Sequence, residues 1–345
     1  MYPFTTGSFA VRNGWYVAAF RHEIDEALLA RTILNQPVVL YRKQDGQAVA
    51  VGGRCPHRHF PLGKSCRKGD GIVCGYHGIA FGPDGQCTDI PSQNFTPRSY
   101  HIPSYPLVEH GLWAWIWMGD ADKADPALLP DLAAIGLTAP GMTARPLFVE
   151  HVKGRAQLLN DNLLDLTHLA FLHGSSIGTL DNAATPEEVV KRPGFLGSRR
   201  HMRDAEAPPV VAYMGHDLTR IDRVSGMDFH LPGFHAGIDE SRFPQGHARS
   251  GEAFASSRVY HAVTPETPHS CTYFFAMATT DASAIDIMEE YLRPVIAEDK
   301  FATEEIEAML AVVGEHPEEL LLKSDRNAVE GRRMLQAMMD AERVG

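Results

Sequence analysis

Two short segments that each contain one cysteine and one histidine constrain the fold of this chain more than any other feature. Cys55-Pro56-His57 is followed, after sixteen intervening residues, by Cys74-Gly75-Tyr76-His77. Proline and glycine within these segments favour tight loops. Thiols and imidazoles are metal ligands, and two such pairs at this spacing rarely arise by chance. The sequence therefore predicts that two loops bring four ligands together around metal.

Two kinds of metal centre accept this set of ligands. Zinc accepts two thiolates and two imidazoles, but in familiar zinc fingers one segment supplies the cysteines and the other the histidines. Here each segment supplies one of each. This alternation favours a [2Fe–2S] cluster in which one iron binds Cys55 and Cys74 and the other binds His57 and His77. Neutral imidazoles in place of two thiolates raise the potential of such a cluster above that of an all-cysteine cluster.

Composition excludes several classes of protein. The 345 residues include 17 His but only five Cys, too sparse and odd a set for a disulfide framework. Lys and Arg number 32 against 43 Asp and Glu, and the net charge of −11 argues against a nucleic-acid partner. The most apolar stretch, 112–118, is far too short to span a membrane, and no secretory signal is visible. We therefore expect a cytoplasmic protein without a nucleic-acid or membrane partner.

The chain is long enough for two domains, and its pattern changes near residue 120. Residues 1–119 are β-rich: 38–41 and 48–51 predict a hairpin around Gln44-Asp45-Gly46, and 113–118 predict a strand buried on both faces. Aspartate and proline in 120–141 predict a linker with one short helical turn. Residues 142–345 mix a helix near 156–173, strand-like sequence and C-terminal helices. The predicted fold class is α+β.

A second set of candidate ligands lies in the segment 160–174. Asp165 and His168 are three residues apart, and so are neighbours on one helix face. His168 and His173 are five residues apart, which separates them by about 140° on a regular helix. They share a metal only if the helix ends or bulges between them, and Gly174 favours a helix end. The alternative is two histidines that satisfy hydrogen bonds in the core.

Asp299 adds a carboxylate from a distant predicted helix. It falls within an apolar stripe formed by Val295, Ala302, Ile306 and Met309, and a carboxylate that faces a core needs a partner. That partner is either a metal or the side chain of an Arg or Lys. With His168 and His173, Asp299 would complete the two-histidine, one-carboxylate set that holds Fe(II) and leaves coordination positions open.

Two further expectations concern this helix. Pro294 fits its first turn, where the missing N–H matters little. Four glutamates lie off the apolar stripe and are expected to be solvated: Glu298, Glu304, Glu305 and Glu307.

The two sets of ligands, in this order, resemble those of the Rieske non-haem iron oxygenases. The first motif reads C-P-H, sixteen residues, C-G-Y-H-G, and the second reads N-x-x-D-x-x-H-x4-H from Asn162 to His173. Respiratory-chain Rieske proteins carry an extra cysteine in each loop, where this chain has Phe60 and Tyr76. More narrowly, the chain is similar to the vanillate and dicamba O-demethylase branch, also through residues 14–18 and 297–299.

This resemblance implies a Rieske [2Fe–2S] domain followed by a helix-grip catalytic domain, assembled as a homotrimer. It implies that the cluster of one subunit supplies electrons to the mononuclear Fe(II) of its neighbour. Asp165 would lie between the two centres and hold the cluster ligand His77 through the iron ligand His168. Asn162 belongs to the same motif, and we assign it with Asp165 to the reaction itself.

The resemblance also implies a monooxygenase reaction. No nicotinamide or flavin motif is present, so electrons are expected from a separate NAD(P)H-dependent reductase or ferredoxin. We expect O-demethylation of a small aromatic acid, in which one oxygen atom of O₂ enters a methoxy group and formaldehyde is released. The alternatives are methyl hydroxylation or N-demethylation, a Rieske electron carrier without catalysis, and a zinc-binding module. Substrate contacts are expected from residues 200–280, where spacing does not single out any residue.

Overall fold

The computed structural model of the chain describes Phe4, residues 8–314 and residues 317–344. Residues 1–3 and 5–7, in which no secretory signal was expected, lie outside this described part. The chain divides into two compact units. One contains Arg12–Leu129 with Thr264–Pro268, and the other contains Pro130–Val263 and the described residues from His269 onward, together with residues 8–11 and Phe4. The boundaries 1–119, 120–141 and 142–345 stay a prediction.

Three small sheets make up the unit Arg12–Leu129, as its β-rich sequence predicts. The strand orders are β1-β11-β10, β2-β3-β4-β9 and β5-β6-β7-β8. The strands are β1 Trp15–Phe20, β2 Leu29–Ile33, β3 Gln36–Arg42, β4 Ala48–Gly52, β5 Cys66–Lys68, β6 Gly71–Val73, β7 Ala80–Phe81, β8 Cys87–Asp89, β9 Ser104–Tyr105, β10 Leu107–His110 and β11 Trp113–Trp117. Short 3₁₀ turns occupy Arg21–Glu23, Leu62–Lys64, Ala121–Lys123 and Pro126–Leu128.

Two local predictions for this unit are confirmed. Strands β3 and β4 pair antiparallel as the expected hairpin, with Val39 opposite Val51. All five residues of β11 are buried, because this strand lies between β1 and β10 and carries side chains into the core on both faces. The three tryptophans of β11 therefore serve the core.

A seven-stranded sheet forms the centre of the second unit, in the order β12-β18-β17-β16-β15-β14-β13. Its strands are β12 Thr143–Val152, β13 Glu188–Arg192, β14 Phe195–Glu206, β15 Arg220–His230, β16 Phe234–Arg242, β17 Ala253–Thr267 and β18 Ser270–Thr279. The helices are α1 Ala156–Leu164, α2 Leu180–Ala184, α3 Pro209–Tyr213, α4 Ala284–Val313 and α5 Arg326–Val344, with 3₁₀ turns at Leu166–Ala170 and Lys323–Asp325. None of the described helices is both long and apolar enough to cross a membrane.

The main core of this unit lies between the sheet and the helices α1 and α4. Val152 and Tyr273 from the sheet, Leu159 from α1 and Leu292 from α4 belong to one buried cluster. A long helix packed on an antiparallel sheet is the helix-grip arrangement of the predicted α+β fold. Helix α1 contacts α4 and β15, whereas α4 contacts β12 and β18.

Helix α4 begins ten residues before Pro294, so the prediction that this proline lies in the first turn is wrong. The helix starts after Ser283, whose N–H donates to Asp281 Oδ1 over 3.0 Å. Pro294 therefore lies in the interior, where it cannot donate to the carbonyl of Glu290. Glu290 is exposed, and water can satisfy that carbonyl instead.

The buried face of α4 also differs from the predicted stripe. Ile306 and Met309 are 48% and 59% exposed, whereas Thr303 and Glu307 are buried. These two polar residues tolerate burial because each has a partner. The Thr303 hydroxyl donates to the carbonyl of Asp299, and Glu307 accepts from the Arg155 guanidinium over 2.6 and 2.7 Å. The apolar pattern alone did not reveal these pairs.

Candidate active site

Two loops of the unit Arg12–Leu129 place the first set of ligands together. In each loop the N–H of the fifth residue donates to the carbonyl of the first, from His59 to Cys55 and from Gly78 to Cys74, over 2.9 Å in both cases. Both of these fifth residues have positive φ, 59° at His59 and 75° at Gly78. The rings of His57 and His77 meet edge to face, with centroids 4.4 Å apart. The two loops therefore present their ligands in matching ways.

The thiols and the imidazoles of this set differ in their exposure to solvent. Cys55 and Cys74 are 1% and 2% exposed, whereas His57 and His77 lie at the surface. Burial raises the pKa of the Cys55 thiol, and the backbone N–H groups of His57 and Arg58, which point at its sulfur, oppose this. Such donors suit a sulfur that carries negative charge. The residues therefore fit a [2Fe–2S] cluster, which the two buried thiols and the two surface imidazoles would hold.

His59 takes no part in this set of ligands. Its Nδ1 accepts from Arg54 Nη1 over 2.6 Å, which fits a loop histidine without a metal role. The positive φ of a non-glycine residue at this position was not predicted from the sequence.

The backbone after α1 departs from a regular helix in a way that lets His168 and His173 face the same point. Helix α1 ends at Leu164, and Asp165 leaves helical geometry with φ −114° and ψ 90°. A 3₁₀ turn then carries His168, and this turn ends at Phe171, before His173. Helix α1 thus ends before His168, so the separation of about 140° that a regular helix would impose on His168 and His173 does not apply. The sequence predicted such an interruption and placed it later, at Gly174.

His168, His173 and Asp299 converge on one point, with one ligand atom from each residue lying within 4.8 Å of the others. His173 Nε2 lies 2.9 Å from Asp299 Oδ1, and His168 Nε2 lies 3.7 Å from the same oxygen. Asp299 is 4% exposed and comes from the middle of α4. Its partners here are the two imidazoles and not an Arg or Lys side chain. Two imidazoles and one carboxylate in a facing set fit a mononuclear Fe(II).

The outward nitrogen of each histidine has its own hydrogen bond. His168 Nδ1 donates to the main-chain carbonyl of Asp165 over 2.6 Å, and His173 Nδ1 donates to Glu298 Oε2 over 2.7 Å. These bonds direct Nε2 of both rings toward Asp299. The expectation that Glu298 is solvated holds only in part, since its side chain is 35% exposed but bound to His173, whereas for buried Glu307 the expectation is wrong. The sequence signal that could have identified Glu298 as a partner of the site is its position directly before the candidate ligand Asp299.

Charge states follow from this arrangement. Burial would raise the pKa of Asp299, but the hydrogen bond from His173 and the nearby His168 outweigh it, so the pKa lies below its ordinary value. Burial lowers the pKa of His168, with Asp299 opposing. Burial also disfavours protonated His173, but Asp299 and Glu298 together raise its pKa. An ionised carboxylate and a neutral His168 are the forms that bind metal.

The two other predicted residues of this motif lie next to the triad. The carboxylate of Asp165 accepts the N–H of Thr167 over 2.9 Å and so caps the 3₁₀ turn that carries His168. Asn162 lies in the last turn of α1, and its carbonyl accepts from the N–H of Asp165. Its side-chain Oδ1 is buried without a hydrogen-bond partner in the described part of the chain.

The triad forms part of the wall of a cavity of about 90 Å³. Most of the wall is apolar and comes from α1, α4 and the sheet, with Leu166, Met227, Ile238, Val259 and Phe275 among its residues. A mostly apolar wall beside a few polar groups is typical of sites that bind small aromatic molecules. A histidine of the 200–280 region, His261, lines it too, and its Nδ1 lies 2.5 Å from the buried Tyr273 hydroxyl. Burial lowers the pKa of His261 to about 4, so the ring is neutral.

Two buried polar pairs near this cavity had no signal in the sequence. Arg223 lines the cavity, is 4% exposed and donates through Nε and Nη2 to Asp239 and through Nη1 to the carbonyl of Ile177. Buried His235 lies with Nε2 2.9 Å from Asn160 Oδ1. Arg223 and Asp239 lie on the neighbouring strands β15 and β16, 16 residues apart, whereas the second pair joins α1 to β16 across 75 residues.

Comparisons with known proteins match a family to each part of the chain. The Rieske [2Fe-2S] domain family matches residues 14–106, and the vanillate O-demethylase oxygenase C-terminal domain family matches residues 152–341. The iron-sulfur subunit of the toluene-4-sulfonate monooxygenase system of Comamonas testosteroni is 33% identical, covering 97% of this chain and 99% of its own length. The oxygenase component of dicamba O-demethylase of Stenotrophomonas maltophilia is also 33% identical, covering 96% of this chain and 98% of its own length.

Solved structures show the same relationship. The crystal structure of dicamba monooxygenase bound to dicamba has a TM-score of 0.85 with this chain at 30% identity, covering 98% of this chain and all of that one. The predicted fold class and the two predicted cofactors, a [2Fe–2S] Rieske cluster and a mononuclear iron, are thereby confirmed. The chain belongs to the vanillate O-demethylase oxygenase family of Rieske non-haem iron oxygenases and is the oxygenase component of a monooxygenase.

Proposed function

We propose that this oxygenase component removes the methyl group of a methoxy substituent on a small aromatic acid. The observation that carries the proposal is the position of His168, His173 and Asp299 in the wall of a mostly apolar cavity. Such a wall holds an aromatic ring by burial of apolar surface and leaves its substituents next to the triad. The names of the relatives, which act on vanillate and dicamba, support the same class of substrate.

The roles of the site residues follow from their positions. We assign Cys55, His57, Cys74 and His77 to the cluster, and His168, His173 and Asp299 to the mononuclear iron. When bound, these groups supply electrons and activate O₂. The contribution of the chain is to hold both imidazoles in the orientation that keeps Nε2 free for metal, and to surround the substrate with apolar side chains that exclude water.

The assembly and the electron source are also part of the proposal. We infer that the chain works as a homotrimer in the cytoplasm, with electrons from a separate reductase or ferredoxin. Asp165 would then connect His168 to His77 of a neighbouring subunit. Its support is local: the carbonyl of Asp165 already binds the His168 ring, and its carboxylate lies at the start of the same turn.

Arg223 is our candidate for binding the acid group. Its bonds to Asp239 and to the carbonyl of Ile177 use three of the five N–H groups of a guanidinium, and the remaining ones stay available to a carboxylate. The Asp239 carboxylate fixes the orientation of the guanidinium and balances its charge when the cavity is empty of acid. An acid group bound there would position the ring, since charged hydrogen bonds are directional.

Formaldehyde release tests the proposal. The purified holoenzyme with a surrogate reductase and NADH is incubated with methoxybenzoates, and with the amide of each as a matched control. We expect formaldehyde in equal amount to the hydroxybenzoate formed, and a KM at least tenfold higher for the amides, since they lack the charge that Arg223 binds. Oxygen uptake without formaldehyde from any methoxylated acid would contradict O-demethylation.

Methyl hydroxylation is a second candidate, favoured by the similarity to the toluene-4-sulfonate monooxygenase subunit. The same assay separates the two reactions. Conversion of toluene-4-sulfonate or methylbenzoates to the benzylic alcohols, with methoxybenzoates unchanged, would identify this chain as a methyl hydroxylase. The triad and the cavity serve both reactions, so only the products distinguish them.

A further inference from the structure

The residues that directly follow His173 fold around the main-chain carbonyl of this proposed iron ligand. That carbonyl accepts the N–H groups of Ser176, Ile177 and Gly178 over 3.0, 3.1 and 3.0 Å. A Cβ at Gly178 would lie 1.7 Å from the carbonyl oxygen of Leu169, so this turn packs tightly against the preceding 3₁₀ turn. A displacement of Ile177 would therefore be transmitted to the main chain of His173.

Arg223 connects this turn to the wall of the cavity that contains the triad. Its Nη1 donates to the carbonyl of Ile177 over 3.0 Å, and both residues line the cavity. The neighbouring carbonyl of Ser176 accepts from the hydroxyl of Tyr291 in α4 and from the N–H of Val210, each over 3.0 Å. These three donors hold the turn from outside, and Arg223 is the charged one among them.

The guanidinium of Arg223 is itself fixed in orientation. It is 4% exposed, and its Nε and Nη2 donate to the carboxylate of Asp239 on the neighbouring strand. Because a guanidinium is planar and rigid, the groups that bind its N–H donors are aligned with one plane. An acid group bound to the remaining donors would restrict the same plane that holds the carbonyl of Ile177. It would thereby stabilise the turn after His173 in its present position.

We propose that Arg223 couples the binding of an aromatic acid in the cavity to the binding of iron by the triad. The connection runs from the acid group through the guanidinium and the carbonyl of Ile177 to the main chain of His173. This inference rests on the proposed binding of an acid group at Arg223, but not on the reaction that follows. Because coupling between two sites is reciprocal, an acid that raises the affinity for iron binds more tightly itself, by the same factor, when iron is present.

The experiment measures Fe(II) affinity with and without benzoate, which carries the acid group and the ring but no methyl or methoxy group to oxidise. Iron is titrated into the full-length protein, with its Rieske cluster in place and without oxygen, in competition with a chelator of known Fe(II) affinity. Benzamide, which lacks the charge, is the ligand control. Calorimetry of benzoate binding, with and without iron at the mononuclear site, gives the reciprocal measurement.

Two variants remove the coupling residue, and one matched control keeps it. Arg223→Gln and Arg223→Met both lose the guanidinium, and methionine fills its space without a polar group if the glutamine variant folds poorly. The control is Arg199→Gln. Arg199 donates through Nη1 and Nη2 to Asp228 over 2.8 and 2.7 Å, so its loss also breaks an arginine–aspartate pair between neighbouring strands of this sheet. Arg199 is not among the described residues that line the cavity.

In wild type we expect saturating benzoate to raise the Fe(II) affinity by about fivefold or more, and benzamide to leave it unchanged. Iron should raise the benzoate affinity by the same factor. In Arg223→Gln and Arg223→Met we expect benzoate to change the Fe(II) affinity by less than about twofold, whereas Arg199→Gln should respond as wild type does.

Benzoate binding without any change in the iron affinity of wild type would overturn the coupling and leave the acid site standing. An undiminished response in both Arg223 variants would overturn it too, because benzoate would then act on the iron directly. An equal loss of the response in Arg199→Gln would overturn it by pointing to the charge of the sheet. If iron-loaded wild type does not bind benzoate, the acid site at Arg223 and the coupling are both wrong, while formaldehyde release still decides the reaction separately.

Discussion

The hydrogen bond from His173 to Glu298 makes a quantitative prediction about iron binding. Glu298 is not a proposed ligand, but its Oε2 accepts from His173 Nδ1 over 2.7 Å and so fixes the ring that presents Nε2. Removal of such an outer partner typically lowers metal affinity by about 10–100-fold. Glu298→Gln keeps an oxygen acceptor and loses the charge, so we expect a loss of about tenfold, or about 1.4 kcal/mol. Glu298→Ala loses the acceptor as well, and we expect a loss nearer to about a hundredfold.

The exposed fraction of the side chain limits this effect. Glu298 is about one-third exposed, at 35%, so water partly screens its charge and can replace its oxygen in the alanine variant. Iron affinity is measured without oxygen, by competition between the protein and a chelator of known Fe(II) affinity. The absorbance and electron paramagnetic resonance of the reduced Rieske cluster should stay unchanged, because Glu298 belongs to the other compact unit.

Glu305→Gln is the matched control, since Glu305 is an exposed glutamate on the same helix. It should bind iron as wild type does. Wild-type iron affinity in Glu298→Ala would refute the reasoning, because the ring of His173 would then be held by other contacts. An equal loss in Glu305→Gln would refute it as well, by pointing to the net charge of α4.

Three further predictions concern other residues. Asp165→Asn should keep both metals and the hydrogen bond from Thr167, since asparagine caps a helix as well as aspartate does, and yet it should slow turnover sharply. Single-turnover rates measure this effect. Full activity in the variant would contradict the proposed bridging role of Asp165. Glu307→Gln breaks a buried pair with Arg155 and should lower the free energy of unfolding by about 3–5 kcal/mol near neutral pH. Burial would raise the pKa of Glu307, but bonds from Arg155 and His269 lower it, so this stabilisation is present above the ordinary glutamate pKa and disappears as the pH falls through the lower folded value. Denaturant titrations at several pH values check this, and a difference that grows in acid would contradict it. Gly237→Ala places a Cβ 2.5 Å from Val259 Cγ2 in the cavity wall, and should raise KM for bulky substrates while leaving iron content unchanged.

The chemistry of the site was predictable because it resides in residue types at short spacing. The four proposed cluster ligands and the two proposed histidine ligands of the iron could be selected from local motifs, and their loops and turn could be anticipated from proline and glycine. Asp299 was identified from its cost in an apolar context, and the structure confirms its burial. The β3–β4 hairpin and the strand β11 with its three tryptophans could also be predicted from local sequence patterns.

Partners that depend on distant contacts were not predictable. Glu298 and Glu307 lie off the predicted apolar stripe of the helix and were expected to be solvated, but the fold brings His173 and Arg155 to them from more than a hundred residues away. The interior position of Pro294 in α4 was not predicted, for a related reason. Packing of α4 on the sheet stabilises the helix on both sides of the proline, and this tertiary contribution outweighs the local preference for a helix start.

The hydrogen bond between His168 and the carbonyl of Asp165 has a consequence for how this site responds to substitution. Because the acceptor belongs to the main chain, every residue that can be placed at 165 by mutagenesis still supplies it. Substitutions at 165 therefore report on the carboxylate alone, and a scan of side chains would leave this support of His168, the proposed iron ligand, undetected. Only a change in the path of the chain between α1 and the 3₁₀ turn, such as an inserted residue, would reveal how much iron binding depends on it.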